Sequence, residues 1–450
     1  SKWGPQGGIK PIDQLLEEVV YPSFDDQGKP EAFSSSAWSQ AKDRVTKILQ
    51  ANGVFALRPA SYNSVVDDMR ARDVLESNSG WPLFTRRNKP EVKAASVADA
   101  ESGAWREYPA IALFRNYRQK TRLVWMFPMS ANLVEGTYYQ PLYAALASKK
   151  FDFLAPWDGF SRVRSLITRY YGDGKFIAAS DFSSTDAHFQ RYATNEVADV
   201  LEVCFQKSYR EGLRESLLHM HSIPLVIGPD RQLTGEHGVA SGSNWTNFIE
   251  TIFDWIFSEY VNVMEGASSS RVKTSVSGLY AIGDDMSWWM QKYDDKFAER
   301  LEAYGKRVGQ LIKAEKTTND RDKVKSLQRL FQRGYMTQDG REVRGAYSTI
   351  RALNSSIYPE RFHRPKDWSA DMFAVRQFMI LENCVDHPLF EEFVQYVCAG
   401  NRHLTEFAKK SAGYQEQALR KSKLLPGLNT TYNQEKRDSK LSEFDSIRLA

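Results

Sequence analysis

Apolar residues recur at helical spacing in "PIDQLLEEVV" (11–20) and "SQAKDRVTKILQA" (39–51), and helical patterning also covers 191–220. The longest such segment is "TNFIETIFDWIFSEYVNVM" (246–264), an amphipathic helix with a heavy apolar face. "DDKFAERLEAYGKRVGQLI" (294–312) predicts another helix, and from about 346 onward helical segments alternate with proline breaks. Strands are predicted where apolar runs are short and bounded by turn residues. "FIAAS" follows the turn "YGDGK" (171–175) and ends at Asp181. "GLYAI" and "MSWWM" flank Gly283-Asp284-Asp285 as the arms of a hairpin, with Gly-Asp in its tight turn. Trp288 and Trp289 are expected in the core of that hairpin rather than as a base-stacking platform. "SNSGWPLFTRRNKP" (77–90) and "GEHGVASGSNW" (235–245) read as loops. The end, "LRKSKLLPGLNTTYNQEKRDSKLSEFDSIRLA", is polar and charged and is expected to be a surface tail.

Composition adds bounds. The chain has 450 residues, 42% of them hydrophobic, which supplies a large core and implies two or three subdomains. Sixty basic residues stand against 56 acidic ones, so a nucleic-acid partner is permitted but not demanded by charge. Cys204, Cys384 and Cys398 lack Cys-x-x-Cys spacing, which argues against a zinc site or a disulfide framework and suits a reducing compartment. No apolar run approaches the ~20 residues that span a bilayer. The start, "SKWGPQGG", lacks the regions of a secretory signal and has no initiating Met, so a trimmed or processed start is expected. No internal repeat is visible, and no G-x-x-x-x-G-K-[ST] occurs, which argues against a Walker-type ATPase.

The chemistry concentrates in carboxylates. Asp284 and Asp285 repel each other, and burying either is costly without a cation nearby. Asp181 ends one predicted strand and Asp284 another. Neighbouring strands would bring both within reach of the same ions. Mg²⁺ prefers hard oxygen ligands, and two such ions ~4 Å apart can activate a 3′-hydroxyl and stabilise a leaving pyrophosphate. An Asp at a strand end is also an ordinary turn residue, and that reading stands beside the first for Asp181 and Asp186. Upstream, "RNYRQKTR" gathers Arg115, Arg118, Lys120 and Arg122 ahead of the β-like "LVWMFP". The anionic triphosphate of a nucleotide needs such cations, though charge runs are more often solvated faces. Neither His188 nor His237 has a partner at metal-ligand spacing.

In chain order these segments resemble the motifs of viral RNA-dependent RNA polymerases, most closely those of double-stranded RNA viruses of the picobirnavirus and partitivirus kind. "SNSGWP" looks like the loop where the template comes in, which implies template contacts for Ser79, Gly80, Trp81 and Pro82. "KTRLVWMFP" resembles the basic fingers motif, and implies that Lys120 and Arg122 line the nucleotide channel. "DFSSTD", "ASGSNWTNF" and "IGDD" resemble the three palm motifs. "AEKTT" is similar to the fourth, which carries a lysine, and "KSLQRLFQRGY" to the primer-grip segment. The resemblance runs from about residue 77 to 335.

It implies further roles. Asp181, Asp284 and Asp285 would hold two Mg²⁺ ions, with Mn²⁺ as a substitute. Asp186 would read the ribose 2′-hydroxyl. Gly242 lets backbone approach the template, and Ser241, Thr246 and Asn247 join the nucleotide and ribose set. The plus-strand viral pattern has an Asn nine residues after the Ser, where this chain has Glu250. Lys316 would be the general acid for pyrophosphate, with Lys313 a near rival.

The implied fold is α+β, a right hand of fingers, palm and thumb, the palm being an antiparallel sheet backed by helices. The expected division is 1–175 fingers with an N-terminal extension, 176–190 palm, 191–234 fingers insertion, 235–335 palm, and 336–450 thumb with the tail. The implied partners are RNA template and product, ribonucleoside triphosphates and a viral capsid protein, with no membrane, in a virion interior or host cytoplasm. A reverse transcriptase shares the palm carboxylates, but usually carries another residue before the Asp pair and a bulky ribose gate. A non-catalytic RNA-binding or capsid protein would suit the basic and aromatic patches, yet gives no reason to align Asp181 with Asp284.

Overall fold

The computed structural model describes residues 7–72, 74–117, 119–267, 276–359, 363–425, 428 and 440–450. Arg118 of the basic run lies outside them. Helices dominate, and three small sheets organise them.

The helix Ser36–Ala51 starts where Ser35 Oγ accepts the Trp38 N–H at 3.2 Å. It buries Trp38, Ala41, Val45 and Leu49, one face at helical spacing, and packs on the long helix Trp245–Ala267. Strands β1 (Ala110–Tyr117) and β2 (Lys120–Met126) form an antiparallel hairpin. The basic run is therefore itself β structure, with Arg115 registered opposite Arg122. After it comes the helix Met129–Ser148, whose first nine residues are all buried.

Strand β3 (Phe176–Asp181) is bounded as the apolar pattern predicts. The 191–220 stretch divides into helices Arg191–Glu202 and Arg210–His219, because the chain between them dips into the core at Cys204 and Phe205. Strands β4 (Leu225–Gly228) and β5 (Arg231–Leu233) then extend the first sheet, in the order β2-β1-β4-β5. The long helix spans 23 residues and covers the predicted segment.

Strands β6 (Val276–Ile282) and β7 (Asp285–Met290) make the expected hairpin. Trp288 is fully buried in it, its indole donating to Ser180 Oγ at 2.9 Å, while Trp289 is half-buried. With β8 (Thr318–Asn319) they form an antiparallel sheet, β6-β7-β3-β8. The long helix is fixed to this sheet by hydrogen bonds. Ser258 Oγ accepts the Gly278 N–H at 2.8 Å, and Asn262 Nδ2 donates to the Val276 carbonyl at 2.8 Å. The predicted 294–312 helix is shorter, Phe297–Arg307, because Gly309 turns to φ +82° and the chain bends back.

Strands β9 (Lys323–Ser326), β10 (Arg329–Met336) and β11 (Val343–Tyr347) form the third sheet. The β9–β10 turn puts Leu327 and Gln328 at positive φ, the backbone shape of a two-residue hairpin loop. Beyond it, a separate apolar cluster joins Tyr347, Phe378, Val394, Leu404 and Phe444 among C-terminal helices.

The expected surface tail is corrected here for residues 440–450. Leu441 and Phe444 are fully buried and Ile447 nearly so. The buried Glu382 carboxylate accepts the Asp445 N–H at 3.1 Å and the Ser446 N–H at 3.0 Å. Three apolar residues at three-residue spacing and a helix start aimed at an anion dock this segment, despite its polar composition. Among the described residues, no helix is long and apolar enough to cross a membrane.

Candidate active site

Two strand ends and a turn bring the acidic residues together. In the β3–β7 pairing, Asp181 stands directly opposite Asp285. The Asp284 carbonyl accepts the Phe182 N–H at 3.3 Å, and Thr185 Oγ1 donates to the Asp284 carboxylate at 3.1 Å. The turn itself needs Gly283, which has φ +57° and donates its N–H to Thr251 Oγ1 at 2.8 Å. A Cβ there would lie 2.7 Å from the Asn247 amide. The long helix thus supports the turn from below through Asn247 and Thr251.

Asp181, Asp285 and Asp186 are reached by water, but they stand in a cleft crowded by protein and by one another. Burial first, then Asp284 and Asp181, push the Asp285 carboxyl up to about 7. Asp284 is also raised, by burial and by Asp181, against the Thr185 hydrogen bond and Arg122. Asp186 sits on the short helix Thr185–His188; burial and Asp284 raise it to about 6, and Arg122 opposes them. Arg122, exposed on β2, is therefore the cation whose field reaches both Asp186 and Asp284. Lys120 is exposed two residues away on the same strand face.

Two further acids lie beneath, and the sequence reading missed one of them. Glu250 and Asp254 are one helical turn apart on the long helix, both buried. Among the described residues neither Asp254 oxygen has a hydrogen-bond partner, and burial with Asp284, Glu250 and Asp285 nearby drives its carboxyl far up. Glu250 is also raised well above its ordinary value, by burial and by Asp284 and Asp186. The available signal was two acids four apart on an otherwise apolar helix face.

Among the described residues, no three His, Cys, Asp or Glu side chains close into a ready-made metal cage. The donor chemistry nevertheless suits a hard divalent cation. Asp181, Asp284 and Asp285 offer carboxylate oxygens only, and the charges around them push the Asp284 and Asp285 carboxyls up.

The remaining expected residues distribute as follows. Ser241 Oγ accepts the Trp125 N–H at 3.2 Å, which fixes its loop to β2. Gly242 has no room for a side chain: a Cβ would fall 1.7 Å from the Trp125 carbonyl oxygen. The Thr246 hydroxyl turns inward and donates to the Ala240 carbonyl at 2.6 Å, and Asn247 is exposed beside the Gly283 turn. Ser79 is buried at the root of its loop, where its carbonyl accepts the Met129 N–H at 2.8 Å. Gly80 has φ +68° and packs on the Phe127 carbonyl, while Trp81 and Pro82 are exposed beyond it. Lys316 is exposed in the 3₁₀ turn Ala314–Lys316 ahead of β8, and its ammonium makes no hydrogen bond or ion pair among the described residues. Two residues on, Thr318 pairs with Ala179, itself two residues before Asp181, so the antiparallel register sets this turn beside the acidic end of β3. His188 is half-buried, its Nδ1 on the Ser184 carbonyl. His237 is buried and stacked on Trp125 at 4.2 Å.

Residues 117–348, just over half of the chain, match the family described as viral RNA-dependent RNA polymerase. The chain is 28% identical over 427 residues to the potential RNA-dependent RNA polymerase of Human picobirnavirus (strain Human/Thailand/Hy005102/-), covering 89% of this chain and 75% of that protein. It is 24% identical over 168 residues to the RNA-directed RNA polymerase of Cryptosporidium parvum virus 1 (strain KSU-1), 37% of this chain and 31% of that one. In fold it is similar to the crystal structure of the RNA-dependent RNA polymerase of a human picobirnavirus, with a TM-score of 0.74 at 21% identity, covering 98% of this chain and 83% of that chain.

Proposed function

We infer the chemistry of this site from one premise: the chain belongs to the viral RNA-dependent RNA polymerase family, and it is an enzyme that copies RNA into RNA. RNA and ribonucleoside triphosphates are its substrates. We assign it to the replication and transcription of a double-stranded RNA genome, a reading supported by its likeness to the picobirnavirus protein.

The observation that carries the mechanism is the pairing of Asp181 with Asp285, next to Asp284 in the turn. We assign the three carboxylates to two Mg²⁺ ions, replaceable by Mn²⁺. Bound there, the ions would activate a 3′-hydroxyl and neutralise the leaving pyrophosphate. Arg122, with Lys120, draws in the triphosphate and balances the carboxylates during its absence. Asp186 accepts a hydrogen bond from the ribose 2′-hydroxyl, and Ser241 and Asn247 border the same space. Gly242 and the loop from Ser79 to Pro82 seat the template. Lys316 gives its proton to pyrophosphate as the bond to the α-phosphorus breaks.

The division into fingers (1–175 and 191–234), palm (176–190 and 235–335) and thumb (336–450) is supported by two features. Strands β4 and β5 complete the sheet begun by β1 and β2, and the C-terminal helices have their own apolar cluster. A capsid protein as partner, in a virion interior or host cytoplasm, follows from the same viral assignment. The test is incorporation of labelled ribonucleotides against deoxyribonucleotides on an RNA template with Mg²⁺ or Mn²⁺. Templated ribonucleotide incorporation is expected; a preference for deoxyribonucleotides would overturn the reading.

A further inference from the structure

The two loops assigned to the template are far apart in sequence, yet one buried network joins them. It runs through the first turns of the helix Met129–Ser148. Arg87, at the end of the 77–90 loop, is buried. Its Nε donates to the Asn78 carbonyl at 3.0 Å, and its Nη2 donates to Asn132 Oδ1 at 2.9 Å and to the Phe127 carbonyl at 3.4 Å. The other end of the Asn132 amide donates to Glu135 Oε1 at 2.9 Å and to the Gly242 carbonyl at 3.1 Å. Glu135 then holds the second loop directly. Its Oε1 accepts the Asn244 N–H at 3.0 Å, and its Oε2 accepts the Ser243 hydroxyl. Asn244 Nδ2 returns to the Asn132 carbonyl at 3.2 Å.

Each loop also presses on the same few residues between β2 and this helix. A Cβ on Gly80 would lie 2.6 Å from the Phe127 carbonyl oxygen, and one on Gly242 would lie 1.7 Å from that of Trp125. Glu135 is 4% exposed, so an ionised carboxylate here depends on its donors and on Arg87. A core position needing only volume would be filled by an apolar residue at lower cost. What the polar set provides is fixed geometry.

We propose that Glu135 and Asn132, tied to Arg87, are positioning residues that lock the 78–82 loop and the 241–244 loop into one unit, so that the templating base is presented in register with the incoming nucleotide. They touch neither substrate. The proposal rests on the assignment of both loops to the template. Loss of the network lets the two loops move independently. The effect falls on how well a matched nucleotide binds rather than on the rate of bond formation.

The test uses the full chain in single-nucleotide addition on an RNA template, with thermal unfolding in parallel. Glu135→Ala is expected to raise the KM for the matched nucleotide by about tenfold, to change kcat by less than about threefold, and to narrow discrimination against mismatched nucleotides. Glu135→Gln can still accept from Asn132 and Asn244 and donate to Ser243, and is expected to restore most of the loss. Ser243→Ala removes the donor to Glu135, together with the acceptor of the Trp245 N–H at the start of the long helix, and is expected to shift KM the same way by about threefold. It supplies the answer if Glu135→Ala does not fold. A folded Glu135→Ala or Ser243→Ala enzyme with unchanged KM and fidelity overturns the proposal. So does a loss of kcat that merely follows the folded fraction. Ser241→Ala separates the premise from the proposal. If it leaves template and nucleotide binding untouched, the loop assignment falls and the network's role with it. If it impairs them while Glu135→Ala does not, only the network's role falls.

Discussion

Asp181 and Asp285 face each other across the β3–β7 ladder, and Asp284 sits one residue back in the turn that begins β7. Like charges opposite each other destabilise a sheet pair, so this arrangement costs folding energy. Asp284→Asn keeps the shape, can still accept from Thr185, and removes one repelling charge. The enzyme is expected to fold with an unfolding temperature no lower than wild type, to bind RNA, and to lose synthesis by about 10³-fold or more, the scale of a lost central electrostatic contact. Chelation of divalent ions is expected to stop synthesis without unfolding the chain. Substantial polymerisation by a folded Asp284→Asn enzyme in Mg²⁺ would sink the metal assignment.

Sugar choice is the second expectation. Asp186 stands beside Asp284, with Arg122 acting on both. A site that hydrogen-bonds a substrate hydroxyl rejects the analogue lacking it, because its own polar group is left unpaired. Asp186→Ala should therefore lose rate with ribonucleotides far more than with deoxyribonucleotides. The ratio of their kcat/KM values is expected to narrow by about 10- to 100-fold. Asn247→Ala should act more weakly, because its amide lies against the Gly283 turn. An active Asp186→Ala enzyme with an unchanged ratio would reduce Asp186 to a turn residue and move the ribose gate to the Ser241 loop.

The parts of this architecture that the sequence exposed are those where a period survives folding. Strand β3 and the β6–β7 hairpin were legible because apolar runs end at Asp and Gly. The long helix was legible because its apolar run is long and unbroken by Gly or Pro, even though residues 248–258 are buried on every side. The helix Met129–Ser148 was not, since Gly136 and Pro141 interrupt its pattern. The docked end was not, because Leu441, Phe444 and Ile447 are spaced among charged residues and their partners lie in distant helices. The acids at 181, 186, 284 and 285 could be read because short motifs carry them. Glu135 and Arg87 could not, since their meaning lies in long-range neighbours that no local pattern records; Asp254 left only its four-residue spacing from Glu250 in an apolar helix. The shortened 297–307 helix shows the same limit, because only the backbone reveals that Gly309 is at positive φ.

Lys316 tests chemistry apart from binding. If it protonates pyrophosphate, Lys316→Leu should slow single-turnover incorporation by about 10²-fold, the lower scale of general acid catalysis, with little change in nucleotide affinity. Its turn is exposed, and surface substitutions usually stay within about 0.5 kcal/mol, so stability does not confuse the result. If Lys313→Leu shows the slow step and Lys316→Leu does not, the acid is the other lysine.

The last expectation concerns pH and the chain leading into the Ser241 loop. His221 is fully buried, with Nε2 2.6 Å from the Thr194 hydroxyl and Nδ1 2.9 Å from the His237 carbonyl. One ring nitrogen donates and the other accepts, so the neutral ring satisfies both partners. Burial is the main cause that lowers its pKa to about 3. In the unfolded chain the ring titrates near 6.5. Between those values the unfolded state binds a proton that the folded state refuses. The stabilisation is therefore complete above pH 6.5 and is lost as pH falls below it. From pH 7.5 to 5.5 the loss from this one ring is about 1.4 kcal/mol. Buried carboxyls that titrate upward, such as Glu135 at about 7, act in the opposite direction over the same range. The informative quantity is thus the difference between two proteins. His221→Gln retains an amide donor and acceptor but cannot titrate, so its unfolding free energy should fall less than that of wild type between pH 7.5 and 5.5. Chemical denaturation at the two pH values measures it. Equal changes in both proteins would mean that the His221 ring takes up its proton without leaving the folded state.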